Sequence, residues 1–198
     1  MEKTQIAYLA YVLVFVAVVA FFFAVPIMAF SQDMNGVYKG VRDAAICHQK
    51  MSRSLCVFND GGAYWISDCT PQNGTYVTDR DDRLTLKTEN GTAIGYKMPA
   101  CARDFGIYGA MLLAALAYPF LRKLDDRTVL PAAYLLLALV PMGLDGGIQL
   151  ASDLGWAPFA YESTNLIRLL TGAIAGGAAS FYAIPLLIGM LSREKGSA

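Results

Sequence analysis

Four long apolar segments constrain the fold of this 198-residue chain more than any other feature. The clearest, residues 6–30, carries no charge and exceeds the roughly 20 residues of helix that cross a bilayer core about 30 Å thick. The others are residues 107–121, 129–144 and 166–191. A signal peptide is the alternative for the first segment, but its apolar part would span only about 7–15 residues. Residues 6–30 therefore favour a retained membrane anchor.

The composition excludes several soluble classes of protein. The chain is 56% hydrophobic and 16% charged, whereas soluble domains carry about 25% charged residues. It is thus neither an ordinary cytosolic enzyme nor a disordered or fibrous chain. Sixteen basic residues balance sixteen acidic ones, so no basic stripe exists to bind nucleic acid, and membrane lipid is the expected partner. The expected fold is a mostly α membrane protein with four transmembrane helices, three of them within residues 105–192.

Charged residues in the short connections predict the orientation of these helices. Residues 122–127 contain three basic side chains, and the C-terminal tail after residue 191 adds Arg193 and Lys195. Basic short loops stay in the cytoplasm. We therefore expect a multi-pass protein of the cell membrane with both termini cytoplasmic. Residues 31–104 and the connection 146–165 would then lie outside.

The long outer segment, residues 31–104, changes character along its length. The apolar spacing in residues 37–53 predicts a short amphipathic helix on the membrane surface. Residues 57–97 then contain four short runs rich in aromatic and β-branched residues, at 63–66, 75–78, 83–87 and 92–97. Asn90 and Gly91 separate the last two runs, a strong hairpin signal. We expect a small extracytoplasmic β-meander, which we call the cap.

All four cysteines fall in this outer segment: Cys47, Cys56, Cys69 and Cys101. An oxidising outer compartment favours disulfides, and four cysteines allow three pairings. Cys56 with Cys69 would staple the first hairpin of the cap. Cys47 with Cys101 would then join the end of the surface helix to the start of the second span.

A metal site is the competing interpretation of two of these cysteines. Cys47 is followed by His48, and Cys101 by Asp104 three residues later. Two thiolates, an imidazole and a carboxylate can hold Zn²⁺ tetrahedrally. The spacing alone is a poor metal signature, so the disulfide and the metal site both stay open.

Polar residues accompany the last two apolar segments. Asp145 and Gln149 are four residues apart and share one helical face. Arg168 follows Glu162 and Asn165 near the start of the fourth segment. Charged groups in a membrane usually face a partner or a cavity, and we expect Asp145 to pair with Arg168. The Asp145–Arg168 pair and the amides of Gln149 and Asn165 either hold the two helices together or line a pocket that opens outward.

Small residues predict close helix packing. Gly172 and Gly176 form a Gly-x-x-x-Gly motif in the fourth span, and Gly106 and Gly109 give the second span a small face. We expect these two spans to pack against each other within one chain rather than to form a dimer.

Four ordered motifs resemble a known family. They are CHQKMSRS at 47–54, MPACARDFGIYG at 98–109, PMGLDGGIQ at 141–149 and STNLIRLLTG at 163–172. Together they resemble the signatures of the prokaryotic membrane protein family called domain of unknown function 2085 (DUF2085), over roughly residues 37–188 apart from the cap.

Two departures from the family pattern affect the metal interpretation. Asp104 stands where the resemblance implies a second cysteine, so it either supplies a harder oxygen ligand or marks a lost site. The cap is also longer than the family's usual loop, and we assign Cys56 and Cys69 in this insertion to a disulfide. The resemblance strengthens the case for Cys47, His48, Cys101 and Asp104 as metal ligands but implies no reaction.

Two functional hypotheses follow. The first is a metal-assisted hydrolase or transferase that acts on a lipid-like substrate at the outer leaflet. In it Zn²⁺ bound by the ligand set above would act with Asp145 or Glu162 as the base, and Arg168 would bind an anionic group. The second is a non-catalytic accessory subunit of a larger membrane complex, with the cap docking partners.

Overall fold

The computed structural model describes residues 3–31, 35–44, 50–69, 74–76, 83–88 and 91–193. Within these ranges the chain forms five α-helices and a five-stranded sheet. The helices are α1 (Lys3–Met28), α2 (Asn35–Ala44), α3 (Ala102–Leu121), α4 (Ala132–Asp153) and α5 (Asn165–Arg193). The strands are β1 (Ser54–Asp60), β2 (Ala63–Asp68), β3 (Gly74–Tyr76), β4 (Arg83–Thr88) and β5 (Gly91–Cys101).

Four of the helices are long and apolar enough to cross a membrane, which confirms the expected number of spans. They are α1, α3, α4 and α5. Helix α3 begins at Ala102 and so includes Asp104 in its first turn. Helix α4 continues past residue 144 to Asp153, and both Asp145 and Gln149 are buried on it. Both helices are thus longer at one end than the predicted spans, because the added turns contain polar residues that hydropathy alone does not assign to a span.

The surface helix α2 is shorter than the pattern over residues 37–53 predicts. It ends at Ala44. Lys50 has an extended backbone, with φ −72° and ψ 127°, and Met51–Arg53 form a separate 3₁₀ turn. Residues 45–49 of the predicted helix lie outside the described residues. The helical pattern therefore does not continue through Lys50.

The chain divides into two compact units. A helical unit comprises Met1–Val19, Arg103–Ser163 and Ile167–Ala198, and a sheet unit comprises Ala20–Ala102 and Thr164–Leu166.

The sheet is fully antiparallel, with strand order β2-β1-β5-β4-β3. Strands β3, β4 and β5 form the expected meander, but β1 pairs with β5 as well as with β2, so β1 lies inside the sheet. The predicted runs did not include β1. Its residues Leu55 to Phe58 form a continuous apolar run without the alternation that identifies a half-exposed strand.

One face of the sheet buries a cluster around Phe58. Phe58 is paired with Gly95 on β5, where a Cβ would overlap the Phe58 ring. The ring stacks on Trp65 with centroids 5.7 Å apart. Cys56 and Cys69 belong to the same cluster and form a disulfide with a Cα–Cα distance of 5.1 Å. The structure thus confirms the predicted disulfide of the cap.

A second cluster of the sheet unit is centred on Tyr96. Its ring makes edge contacts with Phe30, after α1, at 4.9 Å and with Tyr38 of α2 at 5.4 Å. Val25 and Ala29 complete the buried group. Tyr38 is 1% exposed, and its hydroxyl donates a hydrogen bond to the Lys97 carbonyl at 3.2 Å. Helix α2 is therefore held on β5 by aromatic contacts.

Glycines bring α3 and α5 into close contact in the helical unit. A Cβ at Gly176 would overlap the carbonyl of Ile107, and one at Gly106 would overlap the carbonyl of Leu169. Tyr11 of α1 and Ser180 of α5 share a hydrogen bond of 2.9 Å. These glycines therefore let α3 and α5, the second and fourth spans, pack closely within one chain, as predicted.

Candidate functional site

Buried polar side chains of the helical unit gather around α4 and the start of α5. Asp145, Gln149 and Arg168 are each at most 6% exposed, although they lie on helices that could span a membrane. Polar groups at such positions need partners, because each unmet hydrogen bond in an apolar environment is costly. Their partners define the candidate site.

Arg103, in the first turn of α3, is the partner of Asp145. Its Nη2 lies 2.5 Å from Oδ2 of Asp145. The second carboxylate oxygen accepts a hydrogen bond of 2.8 Å from the Tyr161 hydroxyl. The carboxylate is 5% exposed and the Arg103 side chain 22%. Asp145 is therefore a buried carboxylate, and each of its two oxygens accepts a hydrogen bond.

Arg168 is held by a different set of acceptors. Its Nε donates to the Ser163 carbonyl at 3.0 Å. Its Nη2 donates to Oε1 of Gln149 at 2.8 Å and to Oε1 of Glu162 at 3.0 Å. Arg168 is almost fully buried, whereas the Glu162 side chain is 47% exposed. Arg168 is thus a fixed buried cation, and Glu162 is a partly solvated anionic partner of it.

The predicted pairing of Asp145 with Arg168 was wrong. Arg168 instead contacts Gln149, one helical turn beyond Asp145, which is about 6 Å along the helix axis. Arg103 takes the place next to Asp145. The sequence did contain a signal for Arg103, since a basic residue in the first turn of an apolar helix needs an acidic partner or water.

Two glycines leave room for Arg103. A Cβ at Gly146 would lie 3.1 Å from its Nη1, and a Cβ at Gly172 would overlap its backbone carbonyl. Gly146 follows Asp145 directly in α4, and Gly172 lies one turn after Arg168 in α5. The motifs around these glycines therefore fix where the Arg103 backbone and guanidinium lie.

Two buried donors of this site lack an acceptor among the residues that the structure describes. They are Nε of Arg103 and Nε2 of Gln149. The orientation of the Gln149 amide is set by Arg168, because a guanidinium only donates and must face the amide oxygen. A buried donor without an acceptor costs about 1–3 kcal/mol. Both N–H groups are therefore unused donors that are out of contact with solvent.

Tyr161 lies in the connection between α4 and α5 and acts as a donor. The hydrogen bond that it donates to the Asp145 carboxylate raises the pKa of Tyr161 above its usual value of 10.0. The backbone N–H of Tyr161 also donates to the Ser152 hydroxyl at 2.8 Å. The phenol thus stays protonated at neutral pH and keeps its hydrogen bond to Asp145.

Asn165 makes its contacts in the sheet unit. Its Nδ2 donates to the Ser54 carbonyl and to Oδ1 of Asp68, each at 3.1 Å. Both partners are acceptors, which fixes the orientation of the amide. Asn165, which belongs to the sheet unit, is therefore fixed to β1 and β2.

The predicted metal ligands are only partly described. Cys101 is the last residue of β5 and Asp104 lies in the first turn of α3. Cys47 and His48 lie outside the described residues. In the described ranges no group of three or more His, Cys, Asp or Glu side chains could hold a metal ion. Zinc binding and the pairing of Cys47 with Cys101 both stay predictions.

Comparisons with known proteins find similarity over about half of this chain. An uncharacterized protein of Methanocaldococcus jannaschii is 41% identical over 100 residues, which are 50% of this chain and 60% of that protein. The chain thus spans about 60% of the length of this relative. No solved structure matches the chain significantly. Arg103, Asp145, Gln149 and Arg168 all lie within residues 91–182, the part of the chain that matches the family of predicted membrane proteins DUF2085.

Proposed function

We propose that this membrane protein binds the anionic group of a lipid-like substrate at its polar site. The observation that carries the proposal is the pair of buried donors, Nε of Arg103 and Nε2 of Gln149, that lack acceptors within the described ranges. Each belongs to a residue that is already fixed, Arg103 by Asp145 and Gln149 by Arg168. A phosphate or carboxylate would supply the missing acceptor oxygens.

The charges of the site allow an anion to enter. Asp145 is buried and accepts hydrogen bonds from both Arg103 and Tyr161, so its charge neutralises that of Arg103. Glu162 is about half exposed, so water screens its attraction to the buried Arg168. A substrate anion can therefore replace Glu162 beside Arg168. In the predicted orientation this exchange takes place at the outer leaflet.

The hydrolase or transferase hypothesis is the finer form of this proposal. Glu162 suits the role of base better than Asp145, because Asp145 has hydrogen bonds on both oxygens. Zn²⁺ held by Cys47, His48, Cys101 and Asp104 would polarise the scissile bond. Metal analysis of the purified protein and of His48→Ala tests this part: a stoichiometric metal that is lost in the variant supports it, and no metal in either argues against it.

Substitution of Gln149 tests anion binding directly. Gln149→Glu keeps the acceptor for Arg168 but replaces the free N–H donor with a negative charge. Calorimetric titration of the protein in detergent with short-chain phosphatidic acid should show binding that Gln149→Glu abolishes. Short-chain phosphatidylcholine serves as the ligand control. Glu162→Gln, which removes the competing carboxylate, should strengthen binding, and equal affinities in all three proteins would contradict the proposal.

One observation favours the accessory-subunit alternative. Strand β2 lies at an edge of the sheet and is mostly exposed, with Tyr64 53% and Ile66 44% exposed. It has no lysine or proline, the residues that usually protect an edge strand from pairing. If the cap docks a partner subunit here, Ile66→Lys should release that subunit from the complex isolated in mild detergent, while Lys87→Gln on the exposed part of β4 should not.

A further inference from the structure

A groove of about 340 Å³ lies in the helical unit, and none of the polar-site residues lines it. It runs between the segment before α4 and the C-terminal half of α5. Arg103 is at the start of α3, whereas this groove adjoins the connection that follows the end of α3. A helix of 20 residues is about 30 Å long. The groove is therefore distinct from the Arg103 site.

The sequence of α5 creates the groove. Gly189 leaves a shallow groove one turn after the buried Pro185, because Gly189 has no side chain and nothing lies within 4 Å of where its Cβ would be. Leu186 and Met190 form the neighbouring row and are 50% and 70% exposed. The Tyr182 hydroxyl donates to the Pro131 carbonyl at 2.6 Å and holds the start of α4 beside α5. The groove is therefore apolar here, and the contact between Tyr182 and Pro131 fixes the position of one of its walls.

Among the described residues that line the groove, Arg127 is the charged one. The nearest carboxylate in sequence, Asp126, is bound elsewhere: it accepts from Arg122 at 2.6 Å and from the hydroxyl of Thr128 at 2.6 Å. These hydrogen bonds, with the Thr128 hydroxyl as the largest cause, lower the pKa of Asp126 to about 2. In the described part of the chain Arg127 has no carboxylate of its own. The exposed guanidinium of Arg127 therefore lies beside the apolar part of the groove.

We propose that this groove binds one anionic phospholipid, with an acyl chain along Leu186, Gly189 and Met190 and the phosphate on Arg127. The apolar part of the groove matches an acyl chain, and a guanidinium binds phosphate oxygens with charge-assisted hydrogen bonds. In the predicted orientation the connection between α3 and α4 lies at the cytoplasmic surface, where anionic lipids attract basic residues. This site does not depend on the proposed function of Arg103 and Arg168.

Native mass spectrometry of the full chain in detergent can count bound lipid. We expect dioleoyl phosphatidylglycerol to bind more tightly than dioleoyl phosphatidylcholine. Arg127→Gln should weaken phosphatidylglycerol binding about tenfold and leave phosphatidylcholine binding unchanged. Lys123→Gln is the matched control, because Lys123 is exposed in the same connection but does not line the groove.

A second variant fills the groove instead of removing its charge. Gly189→Leu places a side chain in open space and should abolish binding of both lipids. Gly177→Leu is the control, because Gly177 also lies on α5 with nothing within 4 Å of its Cβ position but does not line the groove. Equal affinity for the two lipids, or equal effects of Arg127→Gln and Lys123→Gln, would overturn the proposal. Gln149→Glu should change neither binding constant, which separates this site from the polar site.

Discussion

Arg103 and Asp145 form an ion pair between α3 and α4, with 2.5 Å between a guanidinium nitrogen and a carboxylate oxygen. The carboxylate is nearly inaccessible, and Tyr161 occupies its other oxygen. The pair joins two motifs that are 42 residues apart in sequence. It therefore sets the position of α3 against α4 as well as the charge of the candidate site.

Removal of Asp145 should destabilise the protein strongly. Asp145→Ala leaves the Arg103 guanidinium without its partner, and breaking a buried pair in this way costs about 3–5 kcal/mol. We expect the lower end of this range, because the Arg103 side chain keeps some exposure. Thermal unfolding in detergent measures the loss.

A second substitution identifies the true partner of Asp145. Asp145→Ala combined with Arg103→Met should recover part of the lost stability, since neither charge is then left alone. Asp145→Ala combined with Arg168→Met should be less stable than Asp145→Ala, since Arg168 has separate acceptors. Recovery with Arg168→Met and not with Arg103→Met would show that the observed pairing is wrong.

The glycines between α3 and α5 should not tolerate a side chain. Gly176→Ala places a Cβ against the Ile107 carbonyl, so the two helices must separate. We expect a loss of about 1–3 kcal/mol, as for other overpacked cores. Gly177→Ala provides the comparison, because its Cβ meets open space and alanine is the better helix former. Similar melting temperatures for the two variants would exclude close packing at Gly176.

The disulfide of the cap should stabilise β1 and β2. Closing a loop of this length is worth roughly 3 kcal/mol in the chain-entropy model. Cys56→Ala combined with Cys69→Ala should therefore speed amide hydrogen exchange in both strands, as mass spectrometry of peptides from the cap would show. Peptides from α4 should exchange at their original rate. Unchanged protection of β1 would mean that the sheet does not need the disulfide.

Tyr161 should titrate above its ordinary pKa of 10.0, because ionisation would break its hydrogen bond to the Asp145 carboxylate. A raised folded-state pKa gives stability that is fully present below pH 10 and is lost as the pH rises through the folded-state pKa. The absorbance of phenolate, taken as the difference between the protein and Tyr161→Phe, measures that pKa. A Tyr161 pKa at or below 10 would contradict the observed hydrogen bond.

The orientation predicted from the basic connections also has a direct test. In a background with Cys47 and Cys101 replaced by serine, Thr75→Cys should react with an impermeant maleimide on intact cells. Asp125→Cys should react only after the membrane is opened. The reverse pattern would place both the candidate site and the lipid groove on the opposite sides of the membrane.

Part of the candidate site could be predicted from the sequence. Asp145, Gln149, Glu162 and Arg168 are polar residues next to apolar runs, and the cost of a charge in a membrane makes such residues conspicuous in any sequence. The partner of each was not predictable. Asp145 and Arg168 were expected at the same depth. Arg168 instead lies one helical turn away, where it contacts Gln149, and Asp145 pairs with Arg103.

The sequence by itself determined the number of spans and the disulfide of the cap, because chain length, hydropathy and short cysteine spacing are local properties. Tertiary structure decided that β1 lies between β2 and β5 and that Arg103 belongs to the candidate site. Strand order and ion-pair partners depend on how distant segments align. At Arg103 that alignment follows from contacts at Gly146 and Gly172, where the missing side chains let backbone and guanidinium approach.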